Sequence, residues 1–116
     1  MLPKEYRLRQ EKDIKTLFAR GKSVFDVVLG VKYRRNNLSV SRFAVVVGAK
    51  ISKRAVVRNL IRRRLRAVLE KHLENFRPGF DVIILVKDGV KKSSYANLEM
   101  ELIGLLQRIG IKKVSG

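Results

Sequence analysis

The stretch Val57-Arg58-Asn59-Leu60-Ile61-Arg62-Arg63-Arg64-Leu65-Arg66-Ala67-Val68 carries two messages at once. On a wheel of 100° per residue, Val57, Ile61, Leu65 and Val68 fall on one side, while Arg58, Arg62, Arg66, Asn59 and Arg63 sweep the neighbouring arc. This is a helix with one flank for a core and another for a charged partner. Arg58, Arg62 and Arg66 line up at i, i+4, i+8, a like-charge array that disfavours an isolated helix by a few tenths of a kcal/mol per pair and that a polyanion relieves. Eight of the seventeen residues from Lys50 to Arg66 are Lys or Arg and none is Asp or Glu. A solvated charged face would interleave Glu with these cations at i, i+4.

Working outward, Arg42 to Ala49 alternates as a strand, with Phe43, Val45 and Val47 on one face and Ala44, Val46 and Gly48 on the other, the small residues leaving room or a shallow floor. Lys50 to Lys53 links it to the helix, which spans roughly residues 54 to 76 and is closed by Pro78-Gly79. Val82-Ile83-Ile84-Leu85-Val86 suits a strand buried on both faces. A basic loop, Lys87 to Lys92, leads to Ser94 as N-cap of a last helix, whose stripe is Leu98, Leu102, Leu105 and Ile109, with Gly110 after it. Upstream, Ile14, Leu17 and Phe18 mark a short helix over residues 10 to 20, ending before Gly21. Val24 to Arg34 alternates as one strand, and Arg35 to Ser39 reads as a turn. The order α-β-β-α-β-α predicts an α+β fold: a single-domain two-layer sandwich over residues 1 to 116, with helices packed on a small central sheet.

The 116 residues carry a formal net charge of +17, far more than solubility requires, and 46% of them are hydrophobic in periodic segments, so the chain folds and its partner is a polyanion. No carboxylate occurs between Asp26 and Glu70, where twelve Lys or Arg do. Cysteine is absent, which excludes disulfides and thiolate chemistry. No apolar run approaches a membrane span and no signal-peptide pattern opens the chain, so a cytoplasmic location is expected. A basic amphipathic helix also suits a membrane surface or a calmodulin-like partner, but this one sits between strands that need its apolar side. No second helix stands close enough before it for helix-turn-helix, and neither DNA nor a membrane is the expected partner. Lys32, Arg34, Arg35, Arg42, Lys87, Lys91 and Lys92 spread charge over strands and loops, as a broad surface for a folded RNA would.

For chemistry of its own the chain offers little. Its ten Asp and Glu are scattered. Glu70 and Glu74 are more simply salt-bridge partners of Arg66, Lys71 and Arg77 than metal ligands, and His72 reads as a helix-end core residue. No nucleophile motif, phosphate loop or zinc spacing occurs, so no catalytic and no metal-ligating residue is assigned.

Arg58-Asn59 followed by Arg62-Arg63 and Arg66, approached through Lys50 and Lys53-Arg54-Ala55, resembles the signature of the bacterial ribonuclease P protein subunit. Arg42, Arg7-Leu8, Phe18, Gly21-Lys22-Ser23-Val24 and Pro78-Gly79-Phe80-Asp81-Val82-Ile83 extend the resemblance over nearly the whole chain. It implies a fold with a left-handed β-α-β crossover and a place in the ribonucleoprotein endonuclease, a hydrolase, that removes the 5′ leader from precursor tRNA. Catalysis there belongs to the RNA subunit with bound Mg²⁺, held mainly by that RNA. The implied RNA-binding residues are Lys50, Lys53, Arg54, Arg58, Asn59, Arg62, Arg63 and Arg66. The implied cleft for the single-stranded leader, between sheet and first helix, comprises Phe18, Lys32, Tyr33 and Arg42. Where the family commonly places aromatics, this chain has Ile14 and Lys32, leaving Phe18 as the aromatic candidate for stacking. Phe18 and Tyr33 also suit a core role. The alternative is a structural ribosome-associated protein with the same electrostatics and no catalytic context.

Overall fold

The computed structural model describes residues 2–113, and the side chains of all of these except Lys92. The apolar runs meet in one four-stranded sheet of order β1-β2-β4-β3, with β1 at Lys22–Phe25, β2 at Leu29–Arg35, β3 at Arg42–Val46 and β4 at Phe80–Val86. Helix α1 (Glu11–Arg20) precedes β1, α2 (Ala55–Lys71) joins β3 to β4, and α3 (Tyr95–Arg108) follows β4. The β-branched run of β4 takes an interior position, antiparallel to β2 and parallel to β3, with Val82, Ile83, Ile84 and Val86 buried. A parallel neighbour requires a crossover, and α2 supplies it, so the basic helix is a β-α-β connection packed on the sheet.

One face of the sheet carries the main core. Leu65, Val68 and Leu69 of α2 and Leu98, Leu102, Leu105 and Leu106 of α3 close over Leu29, Val31, Phe43, Val45, Val82 and Ile84. On the opposite face a smaller cluster joins Leu8 and Leu17 to Ile83, with Ile14, Ala44 and Leu85 beside it. The ten-residue α1 covers only part of that face, so the two-layer expectation gains a partial third layer.

The expected single strand from Val24 to Arg34 is two strands of a hairpin. Asp26 Oδ1 accepts hydrogen bonds from the backbone N–H of Val28 (2.8 Å) and Leu29 (3.2 Å), an Asx turn that reverses the chain and leaves Val27 77% exposed. Alternation ran unbroken through the turn, which hid it. β3 stops at Val46, short of Ala49, and α2 stops at Lys71, short of residue 76. There the His72 N–H is shared between the carbonyls of Val68 and Leu69, and a 3-10 turn, Leu73–Asn75, swings Phe76 to within 5.1 Å of the Phe43 ring centroid. The basic loop is a 3-10 turn at Asp88–Lys92. Ser94 caps α3, its Oγ accepting from the Asn97 N–H at 3.1 Å, and Gly110 follows the helix at φ +80°, where a side chain is disfavoured.

Candidate nucleic-acid interface

On α2 the buried residues Leu65, Val68 and Leu69 fix which way the rest of the helix points. Asn59, Arg63, Arg64 and Arg66 are exposed, as are Lys50, Lys53 and Arg54 on the approach, while Arg58 and Arg62 are half-buried. Arg58 Nη1 donates to the Ser52 carbonyl at 2.8 Å, pinning the approach segment to the helix, and Arg62 Nη1 donates to Asn59 Oδ1 at 2.6 Å. Each guanidinium keeps further N–H groups for an anion. Between Ala55 and Leu69 the helix carries no Asp or Glu, and Glu70 follows near its end beside the same groove. The first turn of α2 contains no acidic residue either, so its positive dipole end is uncompensated. Outward along the helix, Asn59, Arg62, Arg63 and Arg66 rim a groove of about 690 Å³ floored by Val56, Leu60 and Ala67.

A second groove, of about 430 Å³, connects this flank to the face under α1. It is lined by Arg66 of α2, Ile14 of α1, Arg7 and Arg9, and floored by Ala44 and Val46 of β3. The small residues of β3 thus make the shallow floor that their alternation suggested. Farther along the same face Phe18 is 43% exposed, with Lys32 Nζ 5.6 Å from its ring centroid. Phe18 and Lys32 therefore come together as an aromatic-cation surface at the edge of α1.

The other two cleft residues do not join them. Tyr33 lies on the opposite face of the sheet, packed half-buried against the main core, because adjacent strand residues point to opposite sides. Its core reading stands and the cleft expectation is corrected. Arg42 is on the α1 face, but its guanidinium is engaged: Nε and Nη2 donate to Asp81 Oδ1 and Oδ2, both at 2.8 Å, and Nη2 lies 3.5 Å from Asp13 Oδ2 of α1. The hydrogen bond it donates to Asp81 holds its pKa above the usual arginine value. Asn36 donates to the same Asp81 Oδ1 at 2.9 Å. Arg42 is thus the centre of a clamp between α1, β3, β4 and the β2–β3 turn, with Nε and Nη2 committed to Asp81.

Two features escaped the sequence reading. Phe25, assigned by alternation to the face of Val31 and Tyr33, pairs across the hairpin with Gly30 and shares the α1 face with Lys32. The Asp26 turn was the signal that would have moved it. Lys4, Arg7, Arg9 and Arg42 also line a polar hollow of about 610 Å³ near the start of the chain, a cluster made by folding and invisible as a motif. Elsewhere, His72 Nε2 and Lys71 Nζ both meet Glu99 Oε2 at 3.1 Å, linking α2 to α3. Among the described residues no three His, Cys, Asp or Glu side chains gather as a metal site requires.

The sequence matches the family model described as Ribonuclease P over residues 2–110. It is 33% identical over 105 residues to the ribonuclease P protein component of Picosynechococcus sp., covering 90% of each chain. Identity to the ribonuclease P protein component of Syntrophomonas wolfei is 30% over 111 residues, covering 96% of this chain and 92% of the relative. Among solved structures, the RNase P protein from Thermotoga maritima superposes with a TM-score of 0.80 at 25% identity, covering 95% of this chain and 98% of the other. That of Staphylococcus aureus gives 0.85 at 22% identity, a likeness of fold that covers 93% and 98%.

Proposed function

The chain belongs to the ribonuclease P protein family, and on that premise we propose how it serves as the protein component of the ribonucleoprotein that removes the 5′ leader from precursor tRNA. The α2 flank, with Lys50, Lys53 and Arg54 beside it, docks on the phosphates of the catalytic RNA. The observation that carries this reading is the set of α2 arginines held outward by a buried leucine and valine stripe, on a stretch, Ala55 to Leu69, that has no Asp or Glu. Arginine suits the task because its planar fork bridges two phosphate oxygens.

The single-stranded leader lies along the face beside α1, over Phe18 and Lys32, where a base stacks on the ring and a phosphate meets the ammonium. The groove shared by Arg66 and Ile14 makes the two surfaces continuous, so one protein face spans catalytic RNA and substrate. The chain contributes no acid-base pair or metal cluster to hydrolysis. Mg²⁺ belongs to the RNA, and the cationic surface raises its effective occupancy by neutralising surrounding phosphates that repel one another. No helix among the described residues is long and apolar enough to cross a membrane, which suits a role beside RNA in the cytoplasm.

Reconstitution tests the proposal. With a bacterial ribonuclease P RNA and a precursor tRNA at low Mg²⁺, adding the protein should release the 5′ leader at a rate the RNA alone does not reach. Tight RNA binding with no stimulation of cleavage at any Mg²⁺ concentration contradicts it and favours a structural ribosome-associated role.

A further inference from the structure

Phe25 is a large apolar side chain that the fold leaves 50% exposed, on the hairpin formed by β1 and β2. Its ring lies directly over Gly30, where an added Cβ would meet ring atoms Cδ1 and Cε1 at 2.4 and 2.6 Å. A side chain at position 30 would expel the ring, so glycine there lets an aromatic lie flat on the strand. Lys87 Nζ stands over the ring, 5.5 Å from its centroid, and donates to the Asp26 carbonyl at 2.8 Å. The side chain is exposed, so a base that stacks on the ring displaces the ammonium toward its phosphate. The arrangement repeats that of Phe18 and Lys32, one ring and one ammonium each. Lys32 and Gly30 are two residues apart on β2 with side chains on the same face, a rise of about 7 Å.

We infer that Phe25, seated on Gly30 and flanked by Lys87, is a second nucleobase platform that carries the leader onward along β2 from the Phe18–Lys32 surface. The inference rests on the leader reading above. A ring that only filled the interior would be buried, whereas this one is half open beside an exposed cation, and a nucleotide satisfies both partners by offering a π-face and a phosphate. Aromatics spaced on a sheet are a known means of holding successive unpaired bases. The hairpin therefore supplies an aromatic where the family's usual strand position holds Lys32.

The test uses the holoenzyme reconstituted with a bacterial ribonuclease P RNA, and measures affinity for precursor tRNA, for mature tRNA, and for precursors with single abasic leader positions. Phe25→Ala should weaken precursor binding about 5- to 100-fold, the range for loss of one stacked base, and leave mature tRNA unchanged. Phe25→Trp should retain affinity. Gly30→Ala keeps the aromatic but displaces it, and should reproduce the loss. One abasic leader position should equalise wild type and Phe25→Ala, and it should differ from the position that equalises wild type and Phe18→Ala. Wild-type precursor affinity in both Phe25→Ala and Gly30→Ala, with Phe18→Ala impaired, overturns the platform and spares the leader reading. Equal wild-type affinity for precursor and mature tRNA overturns both.

Discussion

Replacing Arg42 with Ala separates a structural clamp from a binding contact, because the two roles predict opposite phenotypes. The change removes two charge-assisted hydrogen bonds at 2.8 Å and the nearby Asp13 contact. It leaves the Asp81 side chain, 13% exposed, with the Asn36 amide still donating to it. Charge-assisted bonds in a partly buried setting contribute roughly 1.5–3 kcal/mol, and an orphaned carboxylate adds to the loss. A net destabilisation of about 2 kcal/mol follows. For a domain of this size that lowers the melting temperature by roughly 8 °C and the urea midpoint by about 1 M. Arg42→Lys should recover only part of this, since an ammonium cannot span both carboxylate oxygens. Circular-dichroism melts and urea titrations read the effect. Affinity for precursor tRNA, measured well below the transition, should stay within about twofold of wild type. Unchanged stability with a tenfold loss of precursor affinity refutes the clamp and returns Arg42 to the leader surface.

Glu99 links the last turn of α2 to α3, and its pKa is lowered by the hydrogen bond from Lys71 and then by that from His72. A carboxyl depressed on folding contributes stability that is present above its ordinary value near 4.5 and is lost as pH falls through its lower folded value. The difference in urea stability between wild type and Glu99→Gln should therefore be clear at pH 6 and vanish on acidification below that range; a pH-independent difference contradicts the linkage. Ser94→Ala removes the α3 N-cap bond to Asn97 and should cost about 1 kcal/mol, restored in part by Asp at the same position, as urea denaturation would report. An unchanged midpoint would show that the cap contributes nothing.

Most of the fold was legible because its elements carry strong periods. The β4 run is apolar without interruption and occupies an interior strand; the leucine stripe of α3 and its serine cap are where spacing places them. The hairpin was not legible, since Asp26-Val27-Val28 continues the alternation of both strands and its turn is made by a side-chain bond instead of Gly or Pro. That one turn flips Phe25 to the other face, which is why a candidate site residue was missed. The α2 flank was readable because helix geometry alone divides apolar from cationic positions. The Arg42 clamp was hidden for the opposite reason: its partners Asp13 and Asp81 lie far off in sequence, and only the parallel register of β3 and β4 brings Asp81 beside it.

The measurement that bears most directly on the whole account is the salt dependence of binding to ribonuclease P RNA, compared between wild type and the single variants Arg62→Ala, Arg63→Ala and Arg66→Ala. If these guanidiniums meet phosphates, each substitution should reduce the slope of log affinity against log salt by about 0.7–1. Slopes identical to wild type in all three variants would mean that the arginine flank of α2 does not face the RNA backbone.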